Sequence, residues 1–339
     1  MAWSYATSIR VVMLWSLLAL MLYLFPFQST SPIPSSPSSS LSHSNPLSMK
    51  DVHIDAFVFI AMSETATRNN IDYSVASLRK VGQWKGDIFI ITDKPDCFAY
   101  LNQFYATKIL SIPSVSNLMA IKALKTNLFL YLPNKTNTIV YMDVDVIVSK
   151  PIQSFLESIS SDVHQMMRAS LKRDIMNGRE NLQPSFDFAM FPDAKGHYVG
   201  FCSGCEKWHT GVIVLQRQAP SEEEGKEKGG TVESKENKCL VAWREMLLSG
   251  KYTTDQESID AAEAEGGCPK AVSLSTKHLL FAKDVLGMLL LSGQTFVHLT
   301  GIERLEKEGY LYRKLILPRI YKSLEPLVSR KILSHAKVC

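Results

Sequence analysis

The sequence predicts an α/β domain on a mainly parallel, Rossmann-like central sheet, carried behind an N-terminal membrane anchor. Three observations point there. Between residues 51 and 150, short β-branched apolar runs alternate with helical segments, the mark of βαβ units. One such run, Thr138 to Val148, carries two carboxylates, Asp143 and Asp145, in its middle. Residues 11–27 are almost continuously apolar, and a Ser/Pro-rich stretch follows them.

The chain has 339 residues, 46% hydrophobic and 21% charged, enough for one large or two ordinary domains with a real core. A net charge of +4 is too mild to imply a nucleic-acid partner. No Walker loop, Gly-x-Gly-x-x-Gly, His-Glu-x-x-His or zinc-finger spacing is present.

Arg10 is the only charged side chain before Lys50. The apolar run of residues 11–27 is short for a membrane span and long for a signal-peptide core, and no small-x-small cleavage site follows. An uncleaved signal-anchor is therefore expected. Residues 1–10 would form a cytosolic tail, and the bulk of the chain would be lumenal, a single-pass type II arrangement in the Golgi or endoplasmic reticulum. Residues 28–49 cannot bury a core and read as an extended stalk. Residues 50–339 form the domain.

A lumenal setting suggests disulfides among Cys97, Cys202, Cys205, Cys239, Cys268 and Cys339, with connectivity open. A zinc site using Cys202, Cys205, Cys239 and Cys268 is the alternative. Asn134-Lys-Thr136 is an N-glycosylation acceptor on an expected loop.

Within the first half, Ile54–Met62 reads as a buried strand, with the polar loop from Ser63 to Asn70 at its carboxyl end. Ile71–Val81 reads as an amphipathic helix with Tyr73, Val75, Leu78 and Val81 inward. A strand over Asp87–Asp93, a helix over Pro95–Tyr105 and a short strand near Lys108–Ile112 follow. Met119–Leu132 reads as one continuous helix, with Leu124, Leu128 and Tyr131 or Leu132 on one face. Then comes the strand with the two aspartates. Extended chain would point Asp143 and Asp145 to one side and turn Val144 into the core. Two carboxylates in apolar surroundings need compensation, and a divalent cation supplies it most simply. Such sheets bind ligands at the carboxyl ends of their strands, where Asp143, Asp145 and the 61–63 segment converge.

In the second half, Trp208–Leu215 reads as a Gly-containing turn feeding a buried strand, and residues 219–238 as a mobile, solvated loop. Leu240–Leu248 reads as a helix, and another starts at Thr254 or Asp255. Asp255 could be its N-cap, a substrate contact, or both. Thr295–Gly301 reads as a strand ending in His298. From Glu303 on, an amphipathic helix rich in Lys and Arg is expected.

Together these pieces resemble the GT-A-fold glycosyltransferases, most closely glycosyltransferase family 8, the glycogenin-like group. The likeness lies in Tyr-Met-Asp143-Val-Asp145, the helix carrying Lys125, Trp208-His-Thr-Gly-Val, Asp255-Gln256 and His298-x-x-Gly301, in order over residues 55–305. It implies transfer of a sugar, with retained configuration, from a nucleotide sugar, usually UDP-linked, to a glycan, protein or lipid acceptor that stays open. It implies Mn²⁺, with Mg²⁺ the alternative, on Asp143, Asp145 and His298; a nitrogen ligand favours Mn²⁺. Ala61, Met62 and Ser63 would meet the nucleoside. Lys125, His209, Gly301 and Arg304, with Asp143, Val144 and Asp145, would meet the diphosphate or sugar. Asp255 and Gln256 would approach the transferred sugar as catalytic residues. Three departures stand out: His209 replaces the family's Asn, Arg304 its Lys, and the Pro-Trp pair that follows that Lys is absent. The two rival readings are a non-catalytic binding or scaffold module of the same fold, and a haloacid-dehalogenase-type phosphatase using Asp143 as nucleophile. Ile147 and the lack of a later Asp-Asp pair disfavour the phosphatase.

Overall fold

The computed structural model describes residues 51–62, 70–115, 117–176, 185–192, 208–218, 237–281 and 294–299. The chain divides into units Met1–Ser48 and Met49–Cys339, and every described residue belongs to the second. The expected anchor, stalk and C-terminal helix lie outside the described residues, as do Ser63, Cys202, Cys205, Gly301, Arg304 and nearly all of the 219–238 loop. Among the described residues no helix is long and apolar enough to cross a membrane.

The elements run β1 (Ala56–Ile60), α1 (Asn70–Lys80), β2 (Asp87–Thr92), α2 (Ala99–Tyr105), β3 (Lys108–Ser111), α3 (Leu118–Ala123), α4 (Leu128–Tyr131), β4 (Thr138–Met142) and β5 (Val146–Val148). Then come α5 (Gln153–Met176), β6 (Phe188–Pro192), β7 (Trp208–Gln216), α6 (Lys238–Leu248), α7 (Asp255–Ala264), β8 (Ala271–Ser273), β9 (Leu279–Phe281) and β10 (Phe296–His298). Seven strands form the main sheet in the order β3-β2-β1-β4-β7-β6-β8. The β3-β2-β1-β4 half is parallel, as βαβ units require, whereas β7 runs antiparallel to both β4 and β6. A second sheet, β5-β10-β9, has three strands.

Strand alternation divides the core into two layers. Phe57, Phe59 and Ala61 face α1, α2 and α5, through Val75, Leu78, Leu101, Phe155 and Ile159. Ala56, Val58, Ile60 and Met62 face α4, α6 and α7, through Leu128, Leu240, Trp243 and Ile259. Burial on both faces explains why these strands read as unbroken apolar runs.

Two expectations need correction. The helix expected over Met119–Leu132 is broken: a 3₁₀ turn at Leu124–Thr126 separates α3 from α4. It buries Leu124, Lys125 and Thr126 together; Thr126 Oγ1 donates to the Ala123 carbonyl at 2.8 Å, and Arg244 donates to Asn127 Oδ1. Tertiary partners, together with the weak helix formers Thr126 and Asn127, break a helix that the apolar periodicity would continue. Second, the stretch Thr138–Val148 is two strands in different sheets. Asp143 to Asp145 form a turn, closed by Val146 N donating to the Asp143 carbonyl at 3.1 Å, so the alternation argument for the two carboxylates does not apply. The expectation of disulfides is met at Cys239–Cys268, and that bridge removes both from the alternative zinc site. Asn134 lies exposed in a turn, open to glycosylation.

α1 is buried more fully than its periodicity suggests. Asp72, Ser74 and Ser77 are inside alongside Val75 and Leu78. Ser74 Oγ donates to the Val144 carbonyl at 2.6 Å, and Ser77 Oγ accepts from Val148 N at 2.9 Å, so the helix clamps both ends of the Asp143–Val148 segment. Asp72 accepts from the Tyr100 hydroxyl, and burial pushes its carboxyl up to about 6. The unfolded chain gives up this proton near pH 4 and the folded chain near pH 6. Stability therefore falls as pH rises from 4 to 6, leaving a cost of roughly 1–3 kcal/mol at pH 7. Asp72→Asn should flatten that slope and raise neutral-pH stability by a similar amount, read from urea unfolding at pH 5 and pH 7.

Candidate functional site

Five chain segments meet at the carboxyl end of β4 and, with Ile60 of β1, enclose a cavity of about 350 Å³. The β4–β5 turn contributes Asp143, Val144 and Asp145; β7 contributes His209, Thr210 and Gly211. The α3 region contributes Lys122 and Lys125; the start of α7 contributes Asp255 and Gln256; and β10 contributes His298. Of the residues expected from sequence, eight converge: Lys125, Asp143, Val144, Asp145, His209, Asp255, Gln256 and His298 all line the cavity. Ala61 and Met62 are fully buried in opposite core layers, and β1 lines the cavity through Ile60 instead.

His298 arrives by strand pairing. β10 runs antiparallel to β5, setting His298 opposite Val146, and Leu299 N donates to the Asp145 carbonyl at 2.9 Å. His298 Nε2 then lies 3.1 Å from Asp145 Oδ1. One ligand atom from each of Asp143, Asp145 and His298 falls within 4.8 Å of the others. Two carboxylate oxygens and an imidazole nitrogen, converging at a half-open wall, form a donor set suited to a divalent transition metal. Burial alone would lower the His298 pKa, but the Asp145 carboxylate outweighs it and holds the imidazole above its ordinary value. Reciprocally, burial would raise Asp145, yet His298 holds it down at about 2.

Beside this cluster lies a buried ion network. Lys125 Nζ sits 2.7 Å from Asp255 Oδ2, 3.1 Å from Asp143 Oδ1 and 3.2 Å from the Thr210 carbonyl. An ammonium has three donors, so each is engaged. Desolvation would strip the proton from so buried an amine, but Asp143 and Asp255 keep it on, with its pKa above the usual lysine value. Asp255 is held at both oxygens: Lys122 approaches Oδ1 at 3.1 Å, and Thr210 Oγ1 donates to Oδ2 at 2.7 Å. Burial opposes its charge, yet Lys125 and then Lys122 draw its pKa well below the carboxylate range. The N-cap of α7 is Thr254, in a capping box with Glu257; Asp255 stands one position inside the helix, where its charge also meets the helix N-terminus.

Sequence reasoning missed four contributors. Lys122 precedes Lys125 by one helical step on the same face, a legible pairing. Tyr141, two residues before Asp143, donates its hydroxyl to Asp143 Oδ1. Thr210 and Gly211 occupy a bulge: β6 pairs Met190 with Ile213 but Phe191 with His209, which leaves residues 210–212 unpaired on that side; Thr210 and Gly211 line the cavity, while Val212 packs into the core. Gly211 also accepts from Asp143 N at 2.8 Å. A Cβ on it would sit 2.6 Å from His209 Cε1 and 3.0 Å from His298 Cε1. Gly211→Ala should therefore cost about 1–3 kcal/mol and displace both rings, seen as a lower Tm together with weaker metal binding.

No family model matches the sequence, and no curated protein sequence matches it. Among solved structures, it is similar to the glycosyltransferase GlyE of Streptococcus pneumoniae TIGR4, at 12% identity and TM-score 0.41, covering 72% of this chain and 54% of that one. It is similar to the galactosyltransferase LgtC in complex with donor and acceptor sugar analogues, at 10% identity and TM-score 0.45, covering 83% and 99%. Mouse xyloside xylosyltransferase 1 matches at 9% identity and TM-score 0.43, covering 73% and 98%. The chain thus spans little more than half of the GlyE chain.

Proposed function

We propose that this chain is a divalent-metal-dependent glycosyltransferase that uses a nucleotide-diphosphate sugar. The observation that carries the reading is the Asp143, Asp145 and His298 cluster opening onto a cavity that Lys122, Lys125 and Asp255 also line. Such a site suits a ligand that brings a diphosphate to the metal side and a polar, neutral group to the Asp255 side. A metal bound by the three ligands would neutralise charge on the leaving diphosphate. Lys125 adds positive field without a contact of its own, since its donors are engaged within the protein. Lys122, at the rim, is the more exposed cation. With both oxygens of Asp255 held, its carboxylate fixes the two lysines, and Gln256 is the neighbouring side chain that faces the sugar. A UDP-linked donor, Mn²⁺, retention of configuration and a lumenal, type II location complete the proposal; the first three follow from the resemblance in sequence, the last from the N-terminal pattern.

The test is donor turnover by the full chain across a panel of UDP- and GDP-sugars, with and without Mn²⁺. Metal-dependent release of nucleoside diphosphate from one donor, absent in Asp145→Ala, is expected. Nucleotide-sugar binding without turnover would favour the scaffold reading, and release of inorganic phosphate the phosphatase one.

A further inference from the structure

We propose that His209 is a positioning residue for the metal: its imidazole holds His298 in the tautomer and orientation that aim Nε2 at the two aspartates. The proposal rests on the metal reading above and assigns a role to a residue where the resembling family has Asn.

The geometry supports it at both ends of His298. Its Nε2 is 3.1 Å from Asp145 Oδ1, and its Nδ1 is 2.6 Å from His209 Nε2. Two ring nitrogens that close share one proton. If Nε2 is to offer a lone pair to a metal, that proton belongs on Nδ1 and His209 Nε2 accepts it. A metal-bound histidine is ordinarily oriented by such a second contact from its outer nitrogen, most often to a carboxylate or carbonyl. A neutral imidazole does this without adding another negative charge beside Asp143 and Asp145.

The surroundings leave His209 little choice. It is 1% exposed, and its ring meets that of His298 edge-on, with centroids 4.6 Å apart and planes at 73°. Gly211 leaves the space the two rings fill, because any side chain there would strike both. The β6–β7 register shift that leaves residues 210–212 without β6 partners begins at His209 itself, which still pairs with Phe191. One strand therefore supplies both the orienting ring and the gap that admits it. With Nε2 committed to His298, His209 serves the metal side of the cavity and not the sugar.

The experiment measures Mn²⁺ binding to the full chain without donor, from the electron paramagnetic resonance signal of free Mn²⁺, and the visible spectrum of the Co²⁺-loaded protein. His209→Phe keeps the ring volume but has no acceptor; His209→Gln places an amide oxygen near the position of Nε2. The Phe variant should bind Mn²⁺ about 10–100-fold more weakly and show an altered Co²⁺ spectrum, with the Gln variant within about threefold of wild type. Wild-type affinity in His209→Phe, while Asp145→Ala and His298→Ala lose binding, overturns the role of His209 and leaves the metal site standing. Wild-type affinity in all of them refutes the metal reading itself. Should His209→Phe fail to fold, long-range ¹H–¹⁵N spectra of the Zn²⁺-loaded wild type decide. Protonated Nδ1 on His298 is the expected result, and the opposite tautomer overturns the proposal.

Discussion

Lys125→Met will destabilise the fold by about 3–5 kcal/mol at neutral pH, the scale for removing one partner of a buried ion pair. The side chains of Lys125 and Asp255 are only 6% and 9% exposed, so solvent cannot replace what is lost. Asp255 would keep Lys122 and Thr210, while Asp143 would keep the Tyr141 hydroxyl but lose its cation. The sign of the pH dependence follows. In the wild type Asp255 titrates below its unfolded value, so its contribution is present above about pH 4 and is lost as pH falls further. In the variant that contribution is much reduced, so the gap between the two proteins narrows on acidification below pH 4. Urea unfolding from pH 3 to 7 measures this. Adding Asp255→Asn to the variant should recover part of the loss, because the orphaned charge goes with it. A Lys125→Met protein as stable as wild type would show that the network contributes nothing net.

Asp145→Ala should lower donor turnover by at least about 10²–10³-fold, the scale for losing a principal electrostatic contributor, and abolish its response to Mn²⁺. The fold should survive, since the Asp145 side chain is 29% exposed and an imidazole can shed its charge near neutral pH. The contrast with Lys125→Met is the diagnostic feature: that substitution lowers stability, whereas Asp145→Ala leaves the fold intact and removes metal-dependent turnover. Tm and Mn²⁺-dependent turnover measured on the same preparations separate them. Full turnover in folded Asp145→Ala would remove this residue from the reaction.

Much of this was legible in advance for definite reasons. Strand and helix periodicities located β1, β2, β4 and β7, because burial on both faces leaves long apolar runs. Asp143 and Asp145 stood out because charge is rare in such runs. They meet in a turn between two sheets, and a local alternation rule does not anticipate a change of sheet. The break after Ala123 was hard to read because Leu124 and Lys125 are good helix formers and the apolar periodicity runs on through Leu128; the weak formers Thr126 and Asn127 were the only local sign. Thr210 and Gly211 were passed over because a bulge depends on the register of β6, which no local pattern encodes.

What the sequence determined by itself is the kind of chemistry available: an α/β sheet whose apolar strands end in carboxylates and a histidine, with lysines on a neighbouring helical segment. Which of these meet was decided only in three dimensions. Pairing of β10 with β5 joins His298 to Asp145 across 153 residues, and the β6–β7 bulge opens the space in which His209 reaches His298. The 3₁₀ turn aims Lys125 at Asp143 and Asp255. Side-chain identity is local information, whereas hydrogen-bond register and burial are properties of distant segments brought together.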